Sequence, residues 1–247
     1  MGGRIDVYLD VASLYSYLAL IYLRNDSAVY AANGVELAYH PVLLGAINQA
    51  TGNKPPFMLP AKAVYGMHDI RRSCERAGVP EAKAPRDFFK KAMTVFPLRA
   101  LHYIKSNYDS ATFVAALHYL FYRFWTPPNA DLREPAVLRS VLSEARKGFN
   151  GDPAAVASAQ PLFAAKDVDA IVAAATEQAA KDQLTTATKE AIARGAFGAP
   201  WFWVRNDAGA EEPFFGSDRF HFIYKLLGLP YHDVALLDSS NGTDAKL

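Results

Sequence analysis

Two serines lie three residues apart where a strand pattern gives way to a helix pattern. The strand pattern covers residues 4–11 and an almost wholly apolar helix pattern begins at Leu14, so Ser13 and Ser16 bracket the first helical turn. The unpaired N–H groups of a helix N-terminus favour an anion. Serine hydroxyls at this place can hydrogen-bond the thiolate of a ligand and lower the pKa of its thiol. The plainer interpretation of Ser13 is a helix N-cap, which the tetrapeptide alone favours.

A second candidate group is the dipeptide Ala199-Pro200, which precedes a strand pattern at residues 200–205. The peptide group before a proline at such a place can offer its N–H and C=O groups to an extended peptide, in the manner of strand addition. An ordinary loop proline is the alternative, because cis bonds are uncommon even before proline.

Two further places carry polar groups that could hold the ends of a small peptide-like ligand. Ser217 and Asp218 open a predicted helix at residues 219–227, where they could bind amino and carboxylate groups or only cap the helix. Asn53 and Lys62 flank a proline-rich loop, where the lysine could pair with a carboxylate or could be a solvated surface residue.

The composition narrows the function classes. The chain has 247 residues and a formal net charge of +1, with its basic residues scattered among acidic ones, which argues against a nucleic-acid partner. The single cysteine, Cys74, allows no disulfide or cysteine-rich zinc site and predicts inert helix packing in a reducing compartment. The six histidines have no paired ligand spacing, so we predict no metal. Without a signal or membrane-spanning pattern, we expect a soluble protein with no membrane partner.

The elements that must position these residues follow a βαβ, helical, ββα order. Strand and helix patterns at residues 4–11, 14–24 and 35–43 are followed by a Gly- and Pro-rich loop at 45–60. Helical patterns then cover residues 61–77, 86–106, 110–124, 135–147 and 167–194, before strands at 200–205 and 212–215 and the last helix.

This order predicts an α/β protein with a thioredoxin-like fold, whose βαβ and ββα halves are separated by a large α-helical insertion. We expect residues 1–58 and 183–237 to form the two halves, residues 59–182 the inserted helical domain, and residues 238–247 a flexible tail.

Four stretches together resemble one family, the kappa-class glutathione transferases and their relatives, the 2-hydroxychromene-2-carboxylate isomerases. The stretches are LDVASLYSYLA, GNKPPFMLPAK, ARGAFGAPWFWV and FFGSDRFHFIYKLLG, and the resemblance runs from about residue 4 to residue 229. It implies a DsbA-like fold, bound glutathione as co-substrate or cofactor, and a homodimer.

The resemblance also implies roles for individual residues. Ser13 would be the catalytic residue that contacts the glutathione sulfur, and Ala199, before a cis Pro200, would bind the cysteinyl backbone. Other positions also match the family's glutathione-binding residues. The rest of the serine motif is Leu14, Tyr15 and Ser16. Asn53 and Lys62 would lie near the glycine end of glutathione, and Ser217 and Asp218 would hold its γ-glutamyl end. Two departures bear on the site. Leu14 replaces the usual proline, which would fix φ, and Ala199 is smaller than the common family residue, which would enlarge the pocket.

Three functions follow from this site. The leading hypothesis is conjugation of the glutathione thiolate to a small apolar electrophile, in a pocket near helical-block aromatics that are mostly core: Tyr65, Phe121, Phe124 and Trp125. The second is a glutathione-dependent cis–trans isomerase of an enone or aromatic metabolite, and the third a non-catalytic, chaperone-like binding protein. The absence of a cysteine pair excludes disulfide exchange.

The chain ends in Ala245-Lys246-Leu247, a close variant of the peroxisomal address Ser-Lys-Leu. This ending predicts a peroxisomal import receptor as a partner, with a cytoplasmic or mitochondrial location as the alternative.

Overall fold

Among residues 2–232, which the computed structural model describes, four strands form one mixed sheet. They are β1 (Gly3–Leu9), β2 (Val35–Pro41), β3 (Trp201–Asn206) and β4 (Glu211–Phe215), in the order β2-β1-β3-β4. β1 pairs parallel with β2 and antiparallel with β3, which pairs antiparallel with β4. This is the predicted thioredoxin-like arrangement, and it places the C-terminal end of β1 beside the start of β3.

Both faces of β1 are covered, because successive side chains of a strand point to opposite sides of the sheet. Ile5, Val7 and Leu9 belong to the main core with the helix that follows β1 and the last helix of the chain. Tyr8 points to the other face, into a smaller cluster that includes Ile47 and Ala191. A strand buried on both faces leaves little freedom for the loop that follows it.

The N-terminal half contains three helices, two of which the sequence patterns did not predict. α1 (Leu14–Asn25) begins where expected, and a short α2 (Ser27–Ala32) leads to the turn before β2. α3 (Leu44–Thr51) lies where a loop was predicted and ends at Gly52, whose φ of 71° is the left-handed conformation of a helix C-cap. Gly52 was therefore the missed signal, since glycine adopts this conformation without a steric cost.

Within the described part of the chain, six helices lie in the inserted segment and a seventh, the last of the series, crosses its predicted end at residue 182. After a short 3₁₀ turn (Pro56–Met58), they are α4 (Pro60–Arg76), α5 (Phe88–Lys91), α6 (Val95–Asn107), α7 (Ser110–Trp125), α8 (Pro135–Glu144), α9 (Ala165–Ala174) and α10 (Gln178–Ala193).

Two predicted helices in this segment were wrong because each is divided. Residues 86–106 form α5 and α6, since Pro97 is tolerated only in the first turn of a helix and forces α6 to begin just before it. Residues 167–194 form α9 and α10, and the break at residues 175–177 has no strong sequence signal.

Two helices of this part of the chain pack on the N-terminal half: α7 packs against α1, and α10 packs against α3 and β2.

The C-terminal half ends with α11 (Phe220–Leu227), which is capped by Gly228. The predicted tail at residues 238–247 and the tripeptide Ala245-Lys246-Leu247 lie outside the described residues. Within residues 2–232, no helix combines the length and apolar character that crossing a bilayer requires, and no group of three or more potential ligands is gathered as a metal site. Cys74 is buried, as expected, and burial raises the pKa of its thiol to about 11.

Candidate active site

Ser13 is the N-cap of α1, and its hydroxyl connects the two halves of the fold. Its backbone is extended, with φ −100° and ψ 113°, and its Oγ accepts a hydrogen bond from the Ser16 N–H at 3.1 Å. The same hydroxyl donates to the carbonyl oxygen of Ala199 at 2.9 Å. Ser13 can therefore be both a helix cap and a thiol-activating residue. The cap uses one lone pair of the hydroxyl oxygen, and the hydroxyl proton remains able to donate.

The peptide bond between Ala199 and Pro200 is cis, as expected for this fold. It stands directly before β3, so the backbone of Ala199 faces the N-terminus of α1. The carbonyl oxygen of Pro200 accepts a hydrogen bond from the Gly216 N–H at 3.2 Å. This bond brings the Gly216-Ser217-Asp218 turn to the same end of the sheet.

Ser217 and Asp218 lie just before the last helix, as predicted, but they do not cap it. α11 begins at Phe220, so both residues lie in the turn before it, and no side chain caps the helix. Gly216 has a φ of 90°, which turns the chain away from β4 before the helix starts. Ser217 is buried, whereas Asp218 is exposed and pairs with the Arg219 guanidinium. Asp218 is thus accessible, but its charge already has a partner.

Asn53 lies beside the loop that contains the cis Pro200, called the proline loop here and defined as residues 197–200. Its side-chain amide donates to the carbonyl oxygen of Phe197 at 2.6 Å, two residues before Ala199. Gly198 lies between them, and a Cβ there would approach the Phe215 ring to 2.8 Å. Close packing therefore favours glycine at this position.

Lys62 lies in the first turns of α4, with its side chain exposed. It has no ion-pair partner within the part of the chain that the structure describes. The same helix reaches α1 through Asp69, whose carboxylate accepts a hydrogen bond from the Tyr15 hydroxyl at 2.7 Å. Burial and this carboxylate raise the pKa of Tyr15, so the phenol stays neutral and donates. Asp69 was missed, although it follows Lys62 by two helical turns.

The remaining positions of the serine motif are buried. Leu14 is 6% exposed and packs in the main core. The Ser16 hydroxyl is fully buried and has no hydrogen-bond partner among the described residues. The two serine hydroxyls are therefore not equivalent, and only Ser13 directs its hydroxyl toward the proline loop.

Asp10 is a second residue that the sequence analysis did not identify. Its carboxylate is 1% exposed and accepts hydrogen bonds from the Ala12 N–H, the Leu44 N–H and the Thr94 hydroxyl. Burial raises the pKa of Asp10 to about 6, although the three hydrogen bonds oppose the shift. A charged residue at the end of an apolar strand was the available signal.

Aromatic residues of the helical segment adjoin the Ser13 loop. Phe121, Phe124 and Trp125 are buried core residues, as mostly expected, whereas Tyr65 is 59% exposed. The Trp125 indole donates to the Val11 carbonyl oxygen at 2.9 Å. The Trp125 ring also contacts Phe88, which belongs to an aromatic cluster, defined here as Phe57, Phe88 and Phe89, whose rings contact one another.

Comparisons with known proteins agree with this geometry. The family model of the DSBA-like thioredoxin domain matches residues 4–228. Glutathione S-transferase kappa 1 of Caenorhabditis elegans is 30% identical over 232 residues, which cover 92% of each chain. The Homo sapiens protein of the same name is 27% identical and covers 91% of this chain and 90% of its own.

Among solved structures, 2-hydroxychromene-2-carboxylate isomerase superposes with a TM-score of 0.66 at 19% identity, over 91% of this chain and 94% of its own, which shows a shared fold. From the matched domain, the relatives and the site, this chain is an enzyme that belongs to the DsbA-like thioredoxin family, in the branch of the kappa-class glutathione transferases.

Proposed function

We propose that this protein is a kappa-type glutathione transferase in which Ser13 activates the glutathione thiol. The observation that carries the proposal is the Ser13 hydroxyl at the N-terminus of α1, 2.9 Å from the carbonyl oxygen of Ala199. In that position one hydroxyl is within reach of any peptide that pairs with the Ala199 backbone. The relatives named glutathione S-transferase kappa support glutathione as that peptide.

Glutathione binding would replace the hydrogen bond between Ser13 and Ala199 by two new ones, one from the ligand to Ala199 and one from Ser13 to the ligand. In the free protein the Ser13 hydroxyl proton is directed at Ala199. When the cysteinyl N–H of glutathione donates to the Ala199 carbonyl oxygen, that proton is released and can rotate toward the glutathione sulfur. The Ser13 oxygen keeps its hydrogen bond from the Ser16 N–H throughout, so the side chain stays in place.

The sulfur would then be held as a thiolate. It would lie against the Ser13 hydroxyl and the first N–H groups of α1, whose dipole is equivalent to about half a positive charge. A free thiol titrates near pH ~8.5, and such a position lowers its pKa by about one unit or more.

The ends of glutathione would be held by the other predicted residues. Lys62 is exposed and available to pair with the glycine carboxylate, beside Asn53. Ser217 and Asp218 lie next to Pro200 and would bind the γ-glutamyl end. The Asp218 carboxylate suits the α-amino group of glutathione. To bind it, Asp218 must either leave its ion pair with Arg219 or contact both cations at once.

The second substrate would be a small apolar electrophile lying against the aromatic cluster. Phe57 is 42% exposed and Phe89 is 69% exposed, and their cluster is connected to the Ser13 loop through Phe88 and Trp125. The thiolate attacks an electrophilic carbon and forms a carbon–sulfur bond. The electron pair displaced from that carbon departs with a leaving group, or takes up a proton from water when the reaction is an addition.

Reversible addition is the second candidate reaction. The solved structure of 2-hydroxychromene-2-carboxylate isomerase shares this fold, and the same thiolate could add to an enone, allow rotation about the former double bond and leave again. Only transfer consumes glutathione, so product analysis separates the two reactions.

The test of the proposal is a titration with glutathione, followed by turnover with electrophiles and strained alkenes. We expect calorimetric binding and a thiolate absorbance in the bound state at neutral pH. Wild-type protein that binds no glutathione would contradict the proposal and favour a role as a non-catalytic binding protein.

We also propose that the protein is a homodimer. Three apolar side chains three residues apart form a stripe along α4, defined here as Val64, Met67 and Ile70, with exposed fractions of 60%, 66% and 39%. Contiguous exposed apolar surface of this kind is typical of an interaction surface. A second copy of the chain is the occupant that the family resemblance implies.

A further inference from the structure

The buried carboxylate of Asp10 is not used by the proposed chemistry, yet it lies at the base of the Ser13 loop. It is 1% exposed and receives donors from three separate segments of the chain. Burying a carboxylate is costly unless its oxygens are satisfied. A residue with this cost, three positions before Ser13, suggests that the carboxylate has a specific task.

Two of the hydrogen bonds of Asp10 define the loop that carries Ser13. The Oδ1 atom accepts from the Ala12 N–H at 2.9 Å, and the main-chain oxygen accepts from the Ser13 N–H at 2.9 Å. The first contact is the side-chain turn typical of aspartate, and the second closes the chain over the same residues. Together they orient both N–H groups that precede α1 and thereby fix the direction of the Ser13 side chain.

The other contacts tie this loop to two helices. The Oδ2 atom accepts from the Leu44 N–H, the first of α3, at 2.7 Å, and the Thr94 hydroxyl at the N-cap of α6 donates to Oδ1 at 2.6 Å. α3 ends at Gly52, directly before Asn53, which holds the proline loop through Phe197. One carboxylate therefore links the Ser13 loop, the helix leading to Asn53 and the helical insertion.

We propose that Asp10 is a positioning residue that places the Ser13 hydroxyl for thiol activation, with Thr94 orienting the carboxylate. The inference rests on the proposed function. It differs from a general stabilising role because the carboxylate acts through the loop geometry, and a shift of about 1 Å in a catalytic group lowers rates on the order of 100-fold.

The test compares four variants by their kcat, their KM for glutathione and the pKa of the bound thiol. Thr94→Val removes only the hydroxyl donor, Thr94→Ser restores it, and Asp10→Asn removes one acceptor at constant size. Thr188→Val is the matched control, because it removes a buried threonine hydroxyl that receives the Leu43 N–H at 3.1 Å but does not contact Asp10.

We expect Thr94→Val and Asp10→Asn to lower kcat on the order of tenfold to 100-fold, with a smaller change in KM and a raised pKa of the bound thiol. Thr94→Ser and Thr188→Val should keep wild-type values. A folded Thr94→Val protein with the wild-type thiol pKa and kcat would overturn the positioning role alone, and so would an equal loss in Thr188→Val. Wild-type protein without a bound thiolate would overturn the proposed function and this inference together.

Discussion

The hydroxyl of Ser13 and the carbonyl oxygen of Ala199 form a 2.9 Å hydrogen bond between residues separated by 186 positions in the chain. The bond joins the N-terminus of α1 to the cis-proline loop before β3. It occupies the Ala199 carbonyl oxygen, to which a bound peptide would donate, and the Ser13 hydroxyl proton, which would be donated to a bound thiolate. The free protein thus keeps both groups paired until a ligand replaces them.

Replacing Ser13 by alanine should raise the pKa of the bound glutathione thiol by about one to two units. A hydrogen bond to a charged group contributes about 1.5–3 kcal/mol, and one pKa unit corresponds to about 1.4 kcal/mol. At neutral pH the rate of conjugation with an activated aryl halide should fall about tenfold to 100-fold. The pH dependence of the bound thiolate absorbance gives the pKa.

The control for this substitution is the loss of a helix cap elsewhere. Asp109 caps α7 by accepting from the Thr112 N–H at 2.8 Å. Asp109→Ala should lower stability through the loss of its cap, as Ser13→Ala does, while activity is retained. Full activity in Ser13→Ala, with normal glutathione binding, would refute the catalytic assignment.

Replacing Tyr15 by phenylalanine should loosen the N-terminal half of α4. Cys74, near the C-terminal end of α4, is the one buried residue of this helix. The Tyr15–Asp69 hydrogen bond is therefore a specific polar contact that ties the middle of α4 to α1. Its loss should increase amide hydrogen exchange in residues 60–69 by about tenfold or more and raise the KM for glutathione, because Lys62 is on the same segment.

Tyr65→Phe is the matched control for Tyr15→Phe. Tyr65 lies on α4 itself and its side chain is 59% exposed, so removing its hydroxyl should change neither hydrogen exchange nor KM. Unchanged exchange in residues 60–69 of the Tyr15→Phe protein would show that α4 is held by other contacts.

Replacing Asp6 by asparagine should destabilise the fold and change its response to acid. Burial by itself would raise the pKa of Asp6, but hydrogen bonds from His40 and Arg4 outweigh it and hold the pKa well below its usual range. The stabilisation is therefore present above the unfolded-state value, near pH ~4, and is lost as the pH falls through the lower folded-state value.

At neutral pH, removing the Asp6 charge from these part-buried contacts with Arg4 and His40 should lower the free energy of unfolding by about 2 kcal/mol. Urea unfolding between pH 7 and the acid limit of folding measures this, and the difference between wild type and Asp6→Asn should shrink as the pH falls below about 4. Glu75→Gln, in an exposed pair with Arg71, should change stability by less than about 0.5 kcal/mol. A difference that grows in acid would have the wrong sign for a lowered pKa.

Replacing Met67 by glutamate should dissociate the proposed homodimer. Met67 is the centre of the α4 stripe and is 66% exposed, so a charge there would be desolvated at an interface but tolerated in a monomer. Light scattering after size exclusion should report a dimer for wild type and a monomer for Met67→Glu. Arg72→Glu, exposed on another side of α4, should leave the dimer intact. A wild-type monomer, or a dimeric Met67→Glu protein, would contradict this surface.

The sequence by itself determined the order of the elements and the beginning of α1. Alternation in residues 4–11 and the apolar run after Ser13 are local patterns, and a strand or helix pattern is largely set by neighbours along the chain. Divided helices were missed because a break needs only a few residues. Pro97 carried such a signal, and Gly52 likewise marked the end of the missed helix α3, whereas the break between α9 and α10 depends on packing.

Which side chains meet was decided by the tertiary structure. The sequence selected Ser13 and Ala199 as candidates, but the bond between them exists because β3 lies antiparallel to β1 and places the proline loop over the N-terminus of α1. The same folding buried the Ser16 hydroxyl, brought Asp69 to Tyr15, and gathered Ala12, Leu44 and Thr94 around Asp10. Periodicity identifies the face of a helix or strand, but contacts between distant segments depend on how whole elements pack, and no local pattern encodes that packing.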